Sequence, residues 1–256
     1  MRVTVLGCGG SGGVPLVGNN WGNCDPANPK NRRRRVSILV EEGGALLLVD
    51  TSPDLREQLL SADVTRLDAV LYTHHHADHS HGLDDLRTLV YSQGRPIDAY
   101  MDAETHRVLT ARFAYAFTST HDGSSLYRPL LRTHVIEGPV RAAGIEVISF
   151  AQRHGPETTF GYRLGPLAYS TDAASLDEAA FAVLEGVQVW IVDCLRYDPH
   201  PTHSHFEQTL SWIARVRPRR AVLTHMNQAL DYEELRSRCP SGVEPAYDGM
   251  VIEVAD

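Results

Sequence analysis

At 256 residues, with 43% hydrophobic and 22% charged, the chain has the make-up of a soluble globular protein able to bury a sizeable core as one domain over 1–256. No stretch approaches the ~20 apolar residues of a membrane span, and residues 1–6 lack the apolar core of a signal peptide, so a cytoplasmic location without membrane attachment is expected. The net charge of −8 excludes the bulk positive field that draws nucleic acid, and Cys8, Cys24, Cys194 and Cys239 are too scattered for a disulfide framework.

Residues 2–6 alternate and predict a strand. Residues 7–34 are rich in Gly, Asn and Pro and predict a long loop, ending in the one basic run, Arg32-Arg33-Arg34-Arg35. That run reads equally well as a solvated flank or a phosphate-binding patch. Apolar runs at 36–40 and 45–49, split by Glu41-Glu42-Gly43-Gly44, predict a hairpin. Thr51-Ser52 before Pro53 predicts a capped helix reaching about Leu60. A buried strand over 68–72 leads into a histidine cluster. A helix over 82–91, with Leu83, Leu86, Leu89 and Val90 on one side, a strand over 97–101 and a helix over 102–117 follow. Residues 118–133 are polar, which makes about 103–133 the most irregular, substrate-side part. The pattern then restarts, with strands at 134–137, 140–142, 145–150, 159–164 and 167–170. After these come a helix at 175–184, a strand at 187–192, a helix at 205–216, a strand at 220–224, a helix at 231–237 and a strand at 249–254. The second half echoes the first, and this predicts an α/β fold of two packed sheets with helices outside.

The chain holds 13 histidines, five of them between His74 and His81. In Thr73-His74-His75-His76-Ala77-Asp78-His79, an extended segment points His74 and His76 to one side, toward one metal. Asp78 and His79, at the turn into the next helix, can reach a second. Imidazole and carboxylate are ligands of the zinc, manganese and iron type. Three further strand ends deliver such groups: His154, Asp172 and His225. Strand ends on one edge of a layered α/β fold converge on the functional crevice.

With T-H-x-H-x-D-H, a downstream His, an Asp and a final T-H, the chain resembles the metallo-β-lactamase superfamily over nearly its whole length. The resemblance implies an αββα four-layer sandwich, with two mixed β-sheets flanked by helices, and two divalent transition-metal ions, zinc or manganese. It assigns His74, His76 and His154 to one ion, Asp78, His79 and His225 to the other, and Asp172 as the bridge. Asp50, at the end of Leu46-Leu47-Leu48-Val49, matches the Asp that orients the metal-binding loop. True β-lactamases usually carry Cys in place of the bridging Asp, so retention of Asp172 and His79 argues against antibiotic hydrolysis.

Finer motifs resemble the phosphoribosyl cyclic phosphodiesterases of bacterial phosphonate breakdown: Thr159-Phe160-Gly161-Tyr162, Ser170-Thr171-Asp172, Val192-Asp193-Cys194 and Asp248-Gly249-Met250. Those enzymes hold an accessory zinc that uses several loop cysteines and a further His; here only Cys24 and Gln228 stand there, so no accessory zinc is expected. The formal G-x-G-x-x-G of Gly7, Gly9 and Gly12 lacks a following helix and is no dinucleotide fingerprint. Ser11 and Gly12 of that loop, with Arg35, are candidates for substrate phosphate contact. Ser204 and Glu207 have capping-box spacing, which places His205 in the first turn of a helix whose N-terminus favours anions. The resemblance makes His205 the catalytic histidine that aids the leaving group, beside Asp78 in the metal set; a register shift to His203 stays open. The expected partner is a small nucleotide or sugar phosphodiester, with no stable nucleic-acid partner and a homodimer left open. The rivals are a tRNA 3′-processing nuclease, which needs an RNA-clamping arm, and a glyoxalase-type thioester hydrolase.

Overall fold

The computed structural model describes residues 1–118 and 128–255. The strands are β1 (Arg2–Gly7), β2 (Ser37–Glu42), β3 (Ala45–Val49), β4 (Ala69–Leu71), β5 (Ile97–Met101), β6 (Leu131–Val135), β7 (Val140–Ala142), β8 (Ile145–His154), β9 (Glu157–Leu164), β10 (Leu167–Ser170), β11 (Val189–Asp193), β12 (Arg220–Thr224), β13 (Val243–Pro245) and β14 (Val251–Glu253). The helices are α1 (Leu55–Ser61), α2 (Ala77–Ser80), α3 (Arg87–Gln93), α4 (Ala103–Arg112), α5 (Ala114–Phe117), α6 (Glu178–Leu184), α7 (Phe206–Val216) and α8 (Tyr232–Arg238).

Two seven-stranded mixed sheets form, ordered β14-β1-β2-β3-β4-β5-β6 and β13-β12-β11-β10-β9-β8-β7. Each begins as an antiparallel meander and continues as parallel strands: β3 with β4, β5 and β6 in one, β10 with β11, β12 and β13 in the other. This is the physical content of the echo between the halves. Because side chains alternate along a strand, β3 sends Leu47 and Val49 into the core between the sheets and Leu48 to the other face. Leu48 meets Leu55 and Leu59 of α1 and Leu89 and Val90 of α3. Both faces are thus covered, which is why β3 reads as an unbroken apolar run. On the other sheet, Phe206, Trp212 and Ile213 of α7 join the core with Ile191 and Val222. The result is the four-layer αββα arrangement.

Several boundaries differ from the sequence reading. The helix after β3 starts at Leu55, with Asp54 at its N-cap, because Thr51 and Ser52 are engaged elsewhere. Thr51 donates from its buried hydroxyl to Tyr72 Oη or Ser80 O, and Ser52 bonds Gln58. The 82–91 helix is a 3-10 turn at Leu83–Leu86 followed by α3. The helix expected over 102–117 breaks at Phe113 into α4 and α5. The segment about 103–133 is therefore mostly regular where it is described: β6 starts at Leu131, drawn into register by parallel pairing with β5. Its remainder, 119–127, lies outside the described residues. β8 runs on to His154, and β13 is a short edge strand that the sequence reading missed.

Candidate metal centre

The parallel strands bring their C-terminal ends to one edge, and most site residues leave from such ends, while His154 ends the antiparallel strand β8. Asp50 follows β3 and Thr73 follows β4 after Tyr72; Asp172 follows β10, Asp193 ends β11 and His225 follows β12. Asp50, Asp172 and His225 all take left-handed backbone, with φ of 63°, 56° and 58°. That conformation is strained for side chains beyond Gly, Asn and Asp, and it turns the chain sharply at the strand mouth. Hydrogen bonds hold it: Thr159 donates to Asp172 O at 3.0 Å, and Gln152 to Thr171 O at 2.9 Å.

The histidine motif is fixed from three sides. Thr51 donates its N–H to His79 O at 2.8 Å, and Gly82 donates to Thr51 O at 2.9 Å. A Cβ on Gly82 would stand 1.9 Å from Ser52 O, so only glycine allows this approach. From the other sheet, Phe160 N–H donates to Thr73 O at 2.9 Å and Tyr162 Oη to Tyr72 O at 2.6 Å.

Ligand-type atoms gather within 4.8 Å of one another in two principal groups, His74, His76 and His154, and Asp78, His79, Asp172 and His225; three overlapping groups join His75, His76 and Glu157, His154, Asp172 and His203, and Asp193, His203 and His225. His79 Nε2 is 3.0 Å from Asp172 Oδ2 and 3.3 Å from Asp78 Oδ2, and His225 Nε2 is 3.4 Å from Asp172 Oδ2. Asp172 also faces the first group, with Oδ1 3.7 Å from His154 Nε2. The Nε2 atoms of His74, His79 and His225 are buried without a hydrogen bond. Imidazole nitrogens buried without a hydrogen bond are costly unless an ion engages them, so the donor set fits divalent cations.

The opposite nitrogens of His79, His74 and His154 have hydrogen-bond partners. Asp50 is wholly buried and accepts from Thr73 N at 2.8 Å, Thr73 Oγ1 at 2.8 Å and His79 Nδ1 at 2.8 Å. His74 Nδ1 meets Thr73 Oγ1 at 3.1 Å, and His154 Nδ1 donates to Thr202 O at 2.7 Å. His225 Nδ1 is 3.5 Å from Asp193 Oδ1. Such partners set ring orientation and tautomer.

Electrostatics follow from this packing. Burial works to lower His225, yet the neighbouring carboxylates Asp172, Asp78 and Asp193 raise it to about 9. His79 behaves likewise: burial lowers it, while Asp172, Asp78 and Asp50 hold it well above the usual imidazole value. Asp172 is held well below the usual carboxylate range: burial opposes this, but His225 and His79 prevail. His74 is pushed well down, by burial first and then by His79.

Of the two candidate catalytic histidines, it is His203 that lies in the site. Its ring centroid is 4.7 Å from those of both His154 and His225, nearly parallel to the latter at 17°. Its Nδ1 is 3.7 Å from both Asp172 Oδ1 and Asp193 Oδ2. His205 is the N-cap of α7, its side chain makes no capping bond, and it has no ring contact with the cluster. The reason is Ser204. Instead of capping the helix, its hydroxyl donates to Asp193 O at 2.6 Å, and its N–H to Asp193 Oδ2 at 2.9 Å. Asp193 was quoted in the sequence only as part of a motif. The logic that found Asp172 and His225 at the ends of β10 and β12 also picks the carboxylate ending β11 between them.

Arg35 pairs through Nε with Asp54 Oδ2 at 2.9 Å and lines the same cleft as Gly12. Arg34 pairs with Asp248 at 3.0 Å, and buried Arg33 donates to Leu230 O at 2.7 Å and Asn227 O at 3.1 Å. Most of the basic run therefore ties the N-terminal loop down. Ser11 and Gly12 sit in an exposed turn, and Gly12 lines a cleft of about 640 Å³ beside these arginines. Gly10, two residues before Gly12, packs where a Cβ would lie 3.5 Å from His225 Cε1. Cys24 is buried, its thiol directed to Leu230 O at 3.4 Å.

Residues 46–226 match the beta-lactamase superfamily domain. The chain is 32% identical over 98% of its length to an octanoyltransferase of Porphyromonas gingivalis, of which it spans about half (51%). Among solved structures, it is similar to a diphosphatase from the PhnP family, with TM-score 0.91 and 34% identity over 99% of this chain and 98% of that one. It also shares its fold with Zn(2+)-bound PqqB from Methylobacterium extorquens, with TM-score 0.78 and 20% identity over 99% of this chain and 100% of that one.

Proposed function

Because this chain belongs to the metallo-β-lactamase superfamily and is a metal-dependent hydrolase, we propose that it is a binuclear phosphodiesterase for a small nucleotide or sugar phosphodiester. His74, His76 and His154 would hold one ion and Asp78, His79 and His225 the other, with Asp172 placed to serve both. Bound there, the ions supply Lewis acidity and acidify water enough for attack near neutral pH. The observation that carries the phosphoryl reading is His203, a histidine beyond the seven proposed ligands whose ring lies 4.7 Å from those of His154 and His225. Its Nδ1 stands 3.7 Å from both Asp193 Oδ2 and Asp172 Oδ1. Proton donation from this ring would assist departure of an alkoxide. Likeness to a diphosphatase supports chemistry at phosphorus.

The octanoyltransferase name belongs to a relative about twice as long and is not carried over. Cys8, Cys24 and Cys194 are buried, burial pushes their thiols up, and none stands among the metal-type groups. A thioester hydrolase of the glyoxalase type gives His203 no task. The test is turnover of bis(p-nitrophenyl) phosphate against an acyl thioester by zinc- and manganese-loaded protein. Phosphodiester turnover supports the reading; thioester turnover alone refutes it.

A further inference from the structure

A metal-binding imidazole has a second nitrogen, and whatever holds that nitrogen sets the ring plane and the basicity of the ligand. For His74, His79, His154 and His225 the holder is a group largely enclosed in the protein. His76 differs. Its side chain is 37% exposed, and the group that meets it comes from the opposite sheet. His76 Nε2 lies 2.9 Å from Glu157 Oε2. The hairpin explains how: β8 and β9 pair His154 directly with Glu157, across a tight turn through Gly155 at φ 61°. One hairpin thus supplies a ligand-type histidine and, beside it, a carboxylate reaching another. His75 Nε2 is 3.9 Å from the same oxygen, too far to hydrogen-bond. Glu157 has no Arg or Lys partner among the described residues.

Resting on the two-ion reading above, we propose that Glu157 is the positioning residue for His76: its carboxylate accepts from Nε2–H and so leaves Nδ1 to the ion. Glu157 then does for His76 what Thr73, Asp50 and Thr202 do for His74, His79 and His154. The competing description is an exposed ion pair that contributes little to stability and is indifferent to metal. The two differ in what they predict for metal binding.

The experiment compares Glu157→Ala and Glu157→Gln with the wild type, using zinc affinity measured against a chromogenic chelator and the absorption spectrum of the cobalt-loaded protein. Losing such a partner lowers metal affinity by about 10–100-fold. Glu157→Ala is expected to lose affinity in that range for one of two ions and to shift the cobalt spectrum, while the ion-free melting temperature stays put. Glu157→Gln keeps an acceptor oxygen and recovers part of the loss. Unchanged zinc affinity and spectrum in Glu157→Ala, with two ions in the wild type, overturn the proposal and leave the metal centre standing. Equal loss of one whole ion in both variants makes Glu157 itself a ligand, and also overturns it. A wild type that takes up no zinc overturns the metal centre and this proposal together.

Discussion

Replacing His203 by alanine separates chemistry from metal binding. The ring lies outside both ligand groups of the proposed ion pair, and Asp172, His154 and His225 keep their other partners without it. Both ions should therefore remain. If His203 protonates the leaving oxygen, its loss removes about 10²–10⁴-fold from kcat, or about 2.7–5.5 kcal/mol of barrier stabilisation. The deficit should be greater for an alkoxide leaving group than for p-nitrophenolate, which departs without a proton. The assay is steady-state hydrolysis of a nucleoside cyclic phosphate and of bis(p-nitrophenyl) phosphate, with metal content measured on the same samples. His205→Ala is the control and should be near wild type, since that side chain makes no capping bond. Full turnover in His203→Ala beside a dead His205→Ala would refute the assignment, and loss of metal in His203→Ala would make it a ligand instead.

Three further outcomes follow from the same geometry. Asp172→Ala should weaken both ions, because its two oxygens face the two groups separately; retention of full metal content would rule out the bridge. Asp50→Asn tolerates the left-handed backbone but removes the charge behind His79, so metal affinity should fall by about 10–100-fold with the fold intact; equilibrium dialysis decides it. His79 and His225 are held above the usual imidazole range, the latter at about 9, so both are protonated near neutral pH in the ion-free chain. Metal uptake must displace those protons, and affinity should rise with pH toward about 9. Calorimetry in buffers of different ionisation enthalpy shows this, and heats independent of buffer contradict it.

Much of this was legible because hydrophobic alternation and strand ends are local signals. Residues 45–49 and 68–72 read as strands, and His154, Asp172 and His225 stood out as ligand types beside strand ends. What failed was decided by distant partners. Thr51 and Ser52 look like a helix cap, but buried Tyr72 and Gln58 take their hydroxyls. Ser204 looks like another cap, but Asp193 captures it and sets the register that puts His203, not His205, at the metal edge. The strand Leu131–Val135 depends on pairing with β5, which no local pattern announces.

The central claim is that seven residues hold two ions that are needed for phosphodiester hydrolysis. Titrating ion-free protein with zinc while following hydrolysis of bis(p-nitrophenyl) phosphate tests it most directly. Activity rising to a plateau at two equivalents per chain is the predicted result. A plateau at one equivalent, or hydrolysis by the ion-free protein, would contradict the account.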